Sequence, residues 1–160
     1  MHGRRTTSGP GRVRGMVELV ERTTGIVPLQ CVLTAQAASA RLARIWLRTH
    51  FGARVAEGML GDLELVVTEL VANAVDASAP ADPVLLSIER CGTDLLVEVA
   101  DRSGAVPEVR SSGGLAEDGR GLVLVAALSR AWGWCPCEPG KVVWALLPLQ
   151  PSSDDGHAQP

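Results

Sequence analysis

Aromatic side chains are scarce. They make up 3% of the 160 residues, with four Trp, one Phe and no Tyr. An interior built from this chain must therefore be filled mostly by Leu, Val and Ala. Basic charge is not in excess either, and a formal charge of −3 provides no overall positive field to hold nucleic acid. No apolar run reaches the ~20 residues of a membrane span, and the N-terminus lacks the apolar region of a signal peptide. The expectation is a cytoplasmic protein with no membrane contact and no direct contact with nucleic acid. Zinc ligation is also poorly supported. Cys135-Pro136-Cys137 is Cys-x-Cys, and Cys31 and Cys91 supply no second pair, so all four read as partly buried free thiols.

What remains is ordinary globular composition, 46% hydrophobic and 21% charged, in a length that suits one sizeable core. Residues 1–26, by their Gly and charge content and locally basic through Arg4, Arg5, Arg12 and Arg14, read as a flexible tail. Residues 150–160 read as a disordered C-terminal tail on the same grounds. Residues 27–149 form the folding unit.

Within that unit the pattern predicts a strand at Val27–Leu33 and a helix at Ala35–Phe51. That helix places Ala38, Leu42, Ile45 and Trp46 on one face and Arg41, Arg44 and Arg48 on the other. A second helix lies within Gly58–Ser78. Strands follow at Val84–Arg90 and Leu95–Asp101, then a helix at Gly121–Arg130 and a closing hairpin of Ala131–Cys137 and Lys141–Leu149. Trp132 and Trp134 share one face of that hairpin. Three helices on one face of a mixed, mainly antiparallel sheet make an α/β two-layer sandwich.

The richest stretch is Val67-Thr68-Glu69-Leu70-Val71-Ala72-Asn73-Ala74-Val75-Asp76. Leu63, Val66, Val67, Leu70, Val71 and Ala74 recur as a buried helical stripe. Asp62, Glu69, Asn73 and Asp76 form a second stripe, set beside the first at ~100° per residue, which puts Glu69 and Asn73 at the margin of the core. A carboxylate there can accept a proton or order water, and an amide oxygen suits Mg²⁺. Taken alone, the stretch fits a half-solvated helix face at least as well.

Two later segments strengthen the functional reading. Leu95–Asp101 ends in an acid and turns into Arg102-Ser103-Gly104, at the carboxyl end of a strand where α/β folds often contact ligands. The turn alone would also fit an ordinary strand-end cap. Gly119-Arg120-Gly121-Leu122 then opens a helix, whose free N–H groups and positive dipole end suit phosphate. Neither Gly-x-Gly-x-x-Gly nor a Gly-Lys-Ser/Thr phosphate loop is present.

In this order and spacing the three segments resemble the ATP-binding boxes of the GHKL superfamily of gyrase, histidine kinase and MutL type. Glu69-Leu70-Val71-Ala72-Asn73-Ala74 looks like the N box, Asp101-Arg102-Ser103-Gly104 the first glycine box, and Gly119-Arg120-Gly121-Leu122 the second. Details are closer to the anti-sigma factor serine kinase branch, whose pattern Trp132-Gly133-Trp134 and Gly140-Lys141-Val142-Val143-Trp144 also resemble. The resemblance runs from about Val27 to Leu149 and implies the Bergerat fold, with ATP and Mg²⁺ as cofactors. It implies that Asn73 holds Mg²⁺ and that Asp101 accepts a hydrogen bond from the adenine amino group. It also implies that Ser103, Gly104, Gly119, Arg120, Gly121 and Leu122 bind the nucleotide. Glu69 is then the candidate catalytic base, and Glu108–Asp118 the lid. The implied partners are an anti-anti-sigma (STAS-type) protein, a sigma factor, or a second copy of the chain. The lid carries a single cation, Arg110, with Arg120 just after it, which leaves room for a non-catalytic, nucleotide-dependent interaction module.

Overall fold

The computed structural model describes residues 28–107 and 121–149. Both expected tails and the expected lid, Glu108–Asp118, lie outside the described residues. Gly119 and Arg120 do as well. The elements run β1 (Leu29–Thr34), α1 (Ser39–Phe51), α2 (Glu57–Ala77), β2 (Pro83–Cys91), β3 (Asp94–Asp101), α3 (Gly121–Leu128), β4 (Ala131–Cys137) and β5 (Gly140–Pro148).

Five strands form one sheet in the order β1-β2-β3-β5-β4, and every neighbouring pair is antiparallel. The two-layer sandwich is as expected, and no parallel ladder occurs among the described residues. The order explains why. β4 lands at the sheet edge rather than beside β3, and β5 turns back into the gap between them, antiparallel to both. β3 is thereby the central strand, and its end at Asp101 is walled by β2 and β5.

α2 follows its sequence pattern closely. Leu63, Val66, Val67, Leu70 and Val71 have no exposed surface, and Ala74 has 1%. Each large apolar side chain buried this way contributes roughly 1.5–3 kcal/mol. α1 differs from expectation. Its buried positions are Ser39, Ala43, Leu47 and Phe51, whereas Leu42 and Ile45 are 51% and 52% exposed. Two polar ties fix that rotation: Ser39 Oγ donates to the Thr34 carbonyl at 2.5 Å, and Arg48 donates to Glu64 of α2 at 2.8 Å. The helix starts at Ser39 rather than Ala35 because the Ala35 N–H bonds the Asp82 carbonyl at 2.7 Å, which holds the chain in a turn.

Alternation along the strands splits the sheet into two faces. Leu95, Val97 and Val99 of β3 and Val143, Ala145 and Leu147 of β5 pack under the helices, with Trp132 and Trp134 beside them, half-buried. Trp144 lies on the other face, buried against Leu96. Its register partners are Glu98 and Gly133, and Glu98 in turn pairs with Ser87. Burial and then the nearby Glu89 carboxylate push Glu98 from 4.5 up to about 7.

That shift has a definite sign. Glu98 is protonated in the folded state at pH values where the unfolded chain has released the proton. Its favourable contribution is complete below about pH 4.5 and is lost as pH rises through about 7. The midpoint of thermal unfolding should therefore fall between pH 5 and pH 8, and Glu98→Gln should flatten the decline by at least ~3 °C. Calorimetric scans of both proteins across that window check this, and parallel curves would contradict it.

Candidate functional site

The described residues among those singled out by the sequence fall toward one end of the sandwich. α2 ends at Ala77, and the chain re-enters the sheet at Pro83. Leu85 of β2 pairs with Ala100, so the last turns of α2 lie at the Asp101 end of β3. β5 starts at the same end, where Lys141 pairs with Asp101. α3 begins there too.

Asp101 is the best-defined member. It is 4% exposed, and it sits on the helix-facing side of β3 in step with Val97 and Val99. Its Oδ1 accepts two hydrogen bonds, from the Ser103 N–H at 2.8 Å and from Lys141 Nζ at 2.9 Å. Its Oδ2 is buried and has no partner. Lys141 is itself only 1% exposed, which makes this a buried ion pair. A buried acceptor left unpaired costs ~1–3 kcal/mol, so Oδ2 is poised for a donor brought by a ligand.

The loop after Asp101 is built from side-chain turns. Ser103 donates its N–H back to Asp101, and its Oγ accepts the Ala105 N–H at 3.1 Å. Neither Ser103 nor Gly104 has a positive φ, so this loop does not need glycine at residue 103. Gly104 is exposed, with open space where a side chain would stand.

On α2, Glu69 and Asn73 are half-buried, between the core stripe and exposed Asp62 and Asp76. Asn73 Nδ2 is buried without a partner. The Glu69 carboxylate lies against the start of α3, where a Cβ on Gly121 would stand 2.3 Å from Glu69 Oε2. A side chain at 121 would push the Glu69 carboxylate out of this position, so glycine there lets the acid lie against the helix start. Leu122 is 5% exposed and belongs to the hydrophobic core, so its side chain anchors α3. Only its backbone is available to a ligand at the helix start.

Lys141 was not among the residues singled out for the site. A signal for it was present, since Lys141, Val143, Ala145 and Leu147 share one face of β5 and a cation leading an apolar face needs a buried partner. A cavity of ≈ 350 Å³, lined by Leu29, Phe51, Ile88, Leu95 and Leu149 among others, lies at the opposite end of β3. It holds none of the site residues. All four cysteines are free.

An open antiparallel sheet under three helices, with an unpaired buried acceptor closing its central strand, is the layout of a Bergerat-type ATP-binding domain. The chain belongs to the histidine kinase-like ATPase family, whose domain model matches residues 33–145. It is thus an ATP-binding protein of the GHKL superfamily. Among solved structures it is similar to the Acinetobacter baumannii histidine kinase AdeS, at 14% identity and a TM-score of 0.42, over 88% of this chain and 77% of that one. No curated protein matches it. No described helix is long and apolar enough to cross a membrane.

The observed groups fit ATP and Mg²⁺. Asp101 Oδ2 is an acceptor of the kind the adenine amino group needs, and Gly121 leaves α3's first N–H groups accessible beside Glu69. No cluster of His, Cys, Asp and Glu among the described residues can hold a metal. Mg²⁺ suits such a site, because it keeps several waters and binds through one or two protein oxygens plus phosphates. Asn73 is the residue that would supply such an oxygen. Its orphaned amide position becomes an acceptor when the amide is turned over.

The buried pair also governs mutagenesis. Asp101→Asn strands the Lys141 ammonium in the core and should lower unfolding free energy by ~3–5 kcal/mol. Asp101→Asn combined with Lys141→Met should recover most of that loss, which urea unfolding of the two single variants and the double variant measures. Additive losses would mean that the two side chains do not interact.

Proposed function

We propose that this protein is an ATP-dependent serine/threonine kinase of the anti-sigma factor type, acting on an anti-anti-sigma partner of the STAS type. The observation that carries the proposal is the position of Glu69: its carboxylate packs on Gly121 at the start of α3, one helical turn from Asn73. Bound Mg²⁺ would neutralise phosphate charge. Asp101 orients the base end of the nucleotide, and the start of α3 offers N–H groups to the phosphates. Glu69 takes the proton of the acceptor hydroxyl as its oxygen bonds to the γ-phosphorus, while the bond from phosphorus to the ADP oxygen breaks. Phosphoryl transfer rests mostly on positioning and charge stabilisation, so a carboxylate of modest basicity is sufficient.

Histidine autophosphorylation is the less favoured chemistry. His50 is the one histidine among the described residues, and its Nδ1 lies 2.8 Å from the Trp46 carbonyl while its ring packs on the Trp46 indole. A second reading is a nucleotide-dependent interaction module that controls a sigma factor or another regulator without transferring phosphate. It is favoured by the exposed apolar side chains Val32, Leu42 and Ile45, at 72%, 51% and 52%, and by the single cation within Glu108–Asp118. Val32 and the α1 pair are suited to contacting a partner or a second copy.

Glu69→Ala should leave ATP affinity within a few-fold and lower phosphotransfer by ~10²–10⁴, the usual contribution of a general base. Glu69→Gln should behave the same way while keeping the shape against Gly121. Radiolabelled ATP with candidate anti-anti-sigma proteins reads the transfer, and calorimetry reads binding. Transfer at wild-type rate by both variants would remove Glu69 from the role of base. A wild type that binds ATP yet labels no candidate would favour the interaction module.

A further inference from the structure

The Asp101 carboxylate is used asymmetrically. Oδ1 is saturated by the Ser103 N–H and Lys141 Nζ, whereas Oδ2 is buried and has no partner. A carboxylate fixed by one donor could still rotate about its Cβ–Cγ bond and exchange its oxygens. Two donors arriving from different elements, the loop after β3 and the start of β5, oppose that rotation. The close approach of β5 depends on residue 140, because a Cβ there would stand 2.0 Å from the Asp101 carbonyl oxygen. Gly140 thus lets β5 begin tight against the end of β3, and Lys141 follows directly on the helix-facing side.

The contact with Lys141 has a second consequence. It supplies one of the two donors that occupy Oδ1, and so leaves Oδ2 as the carboxylate oxygen that a ligand meets, an acceptor with no donor of its own. An acceptor at this position suits an exocyclic amino group, as on adenine, while a donor suits the carbonyl that guanine presents there.

We propose that Lys141 is the positioning residue for base selection: it locks Asp101 with Oδ2 left unpaired as an acceptor, and so sets the preference for a 6-aminopurine over a 6-oxopurine nucleotide. This rests on the ATP-site reading of Asp101 and goes beyond it by assigning the selectivity to a pair. Lys141 touches no ligand and acts through Asp101.

The test is calorimetric titration of Mg-ATP and Mg-GTP into the wild type, Lys141→Met and Lys141→Gln. The wild type should prefer ATP. The Met variant, which removes the donor to Oδ1, should lose at least tenfold of that preference. Taking the ratio of the two nucleotides cancels any common loss from loosened packing, and a purely structural role for Lys141 would leave that ratio unmoved. Lys141→Gln keeps one donor without the charge. It should retain more of the preference than Lys141→Met, and it carries the comparison if the Met variant does not fold. A wild-type preference in the Met variant, or in the Gln variant where the Met variant does not fold, overturns the proposal. A wild type that binds both nucleotides equally overturns instead the assignment of Asp101 to the base.

Discussion

The buried contact between Lys141 and Asp101 is the constraint around which this end of the molecule is organised. It joins residues forty positions apart, one ending the central strand and the other near the start of the last strand. Placing two charges inside a small Leu/Val/Ala core carries a desolvation cost that their mutual attraction only partly offsets, so the pair adds little net stability. Its effect is on geometry. It ties the start of β5 to the end of β3, at one end of their antiparallel ladder, and it holds one carboxylate oxygen in a fixed direction at the strand end. The pairing of β3 with β5 in the order β1-β2-β3-β5-β4 brings the two side chains together, and their contact orients the acceptor.

The two faces of the sheet divide the work of stability and function. The helix-facing side has a dry core of α2 and the central strands. Two polar atoms on that side stand buried without partners, Asp101 Oδ2 at the end of β3 and Asn73 Nδ2 on α2. Buried polar groups are normally satisfied, and a ligand that completes them accounts for such exceptions. The helix-free side has a thinner apolar layer around Trp144 and Leu96, with Glu98 paired across the strands with Trp144. That side carries a pH-dependent element of stability with no bearing on the nucleotide site, since Glu98 and Asp101 project to opposite faces of β3.

Much of this was legible in the sequence because it depends on local periodicity. The α2 stripe from Leu63 to Ala74, the apolar run of β3 ending in Asp101 and the glycine that opens α3 are short-range patterns, and the structure has the helix, the strand and the helix start at those residues. The rotation of α1 was not legible. Leu42 and Ile45 fit an apolar face by spacing, but the actual face is set by contacts with Thr34 and Glu64, one across a turn and one on another helix. Lys141 escaped for a similar reason. Its partner is distant in sequence, and only its alternation with Val143 and Ala145 hinted that a cation faced inward. The close contact of Glu69 with Gly121 likewise joins two motifs that the sequence shows separately, and only their packing reveals that one glycine makes room for the acid.

Backbone amide shifts of isotopically labelled protein during titration with Mg-ATP offer the most direct check on where the nucleotide sits. The largest changes should fall on Asp101, Ser103, Gly104, Asn73, Gly121 and Lys141. Leu29, Phe51, Ile88 and Leu149, around the cavity at the far end of the sheet, should stay unchanged. Changes confined to that far cavity, or none at Asp101 and Gly121 at saturating nucleotide, would contradict the account.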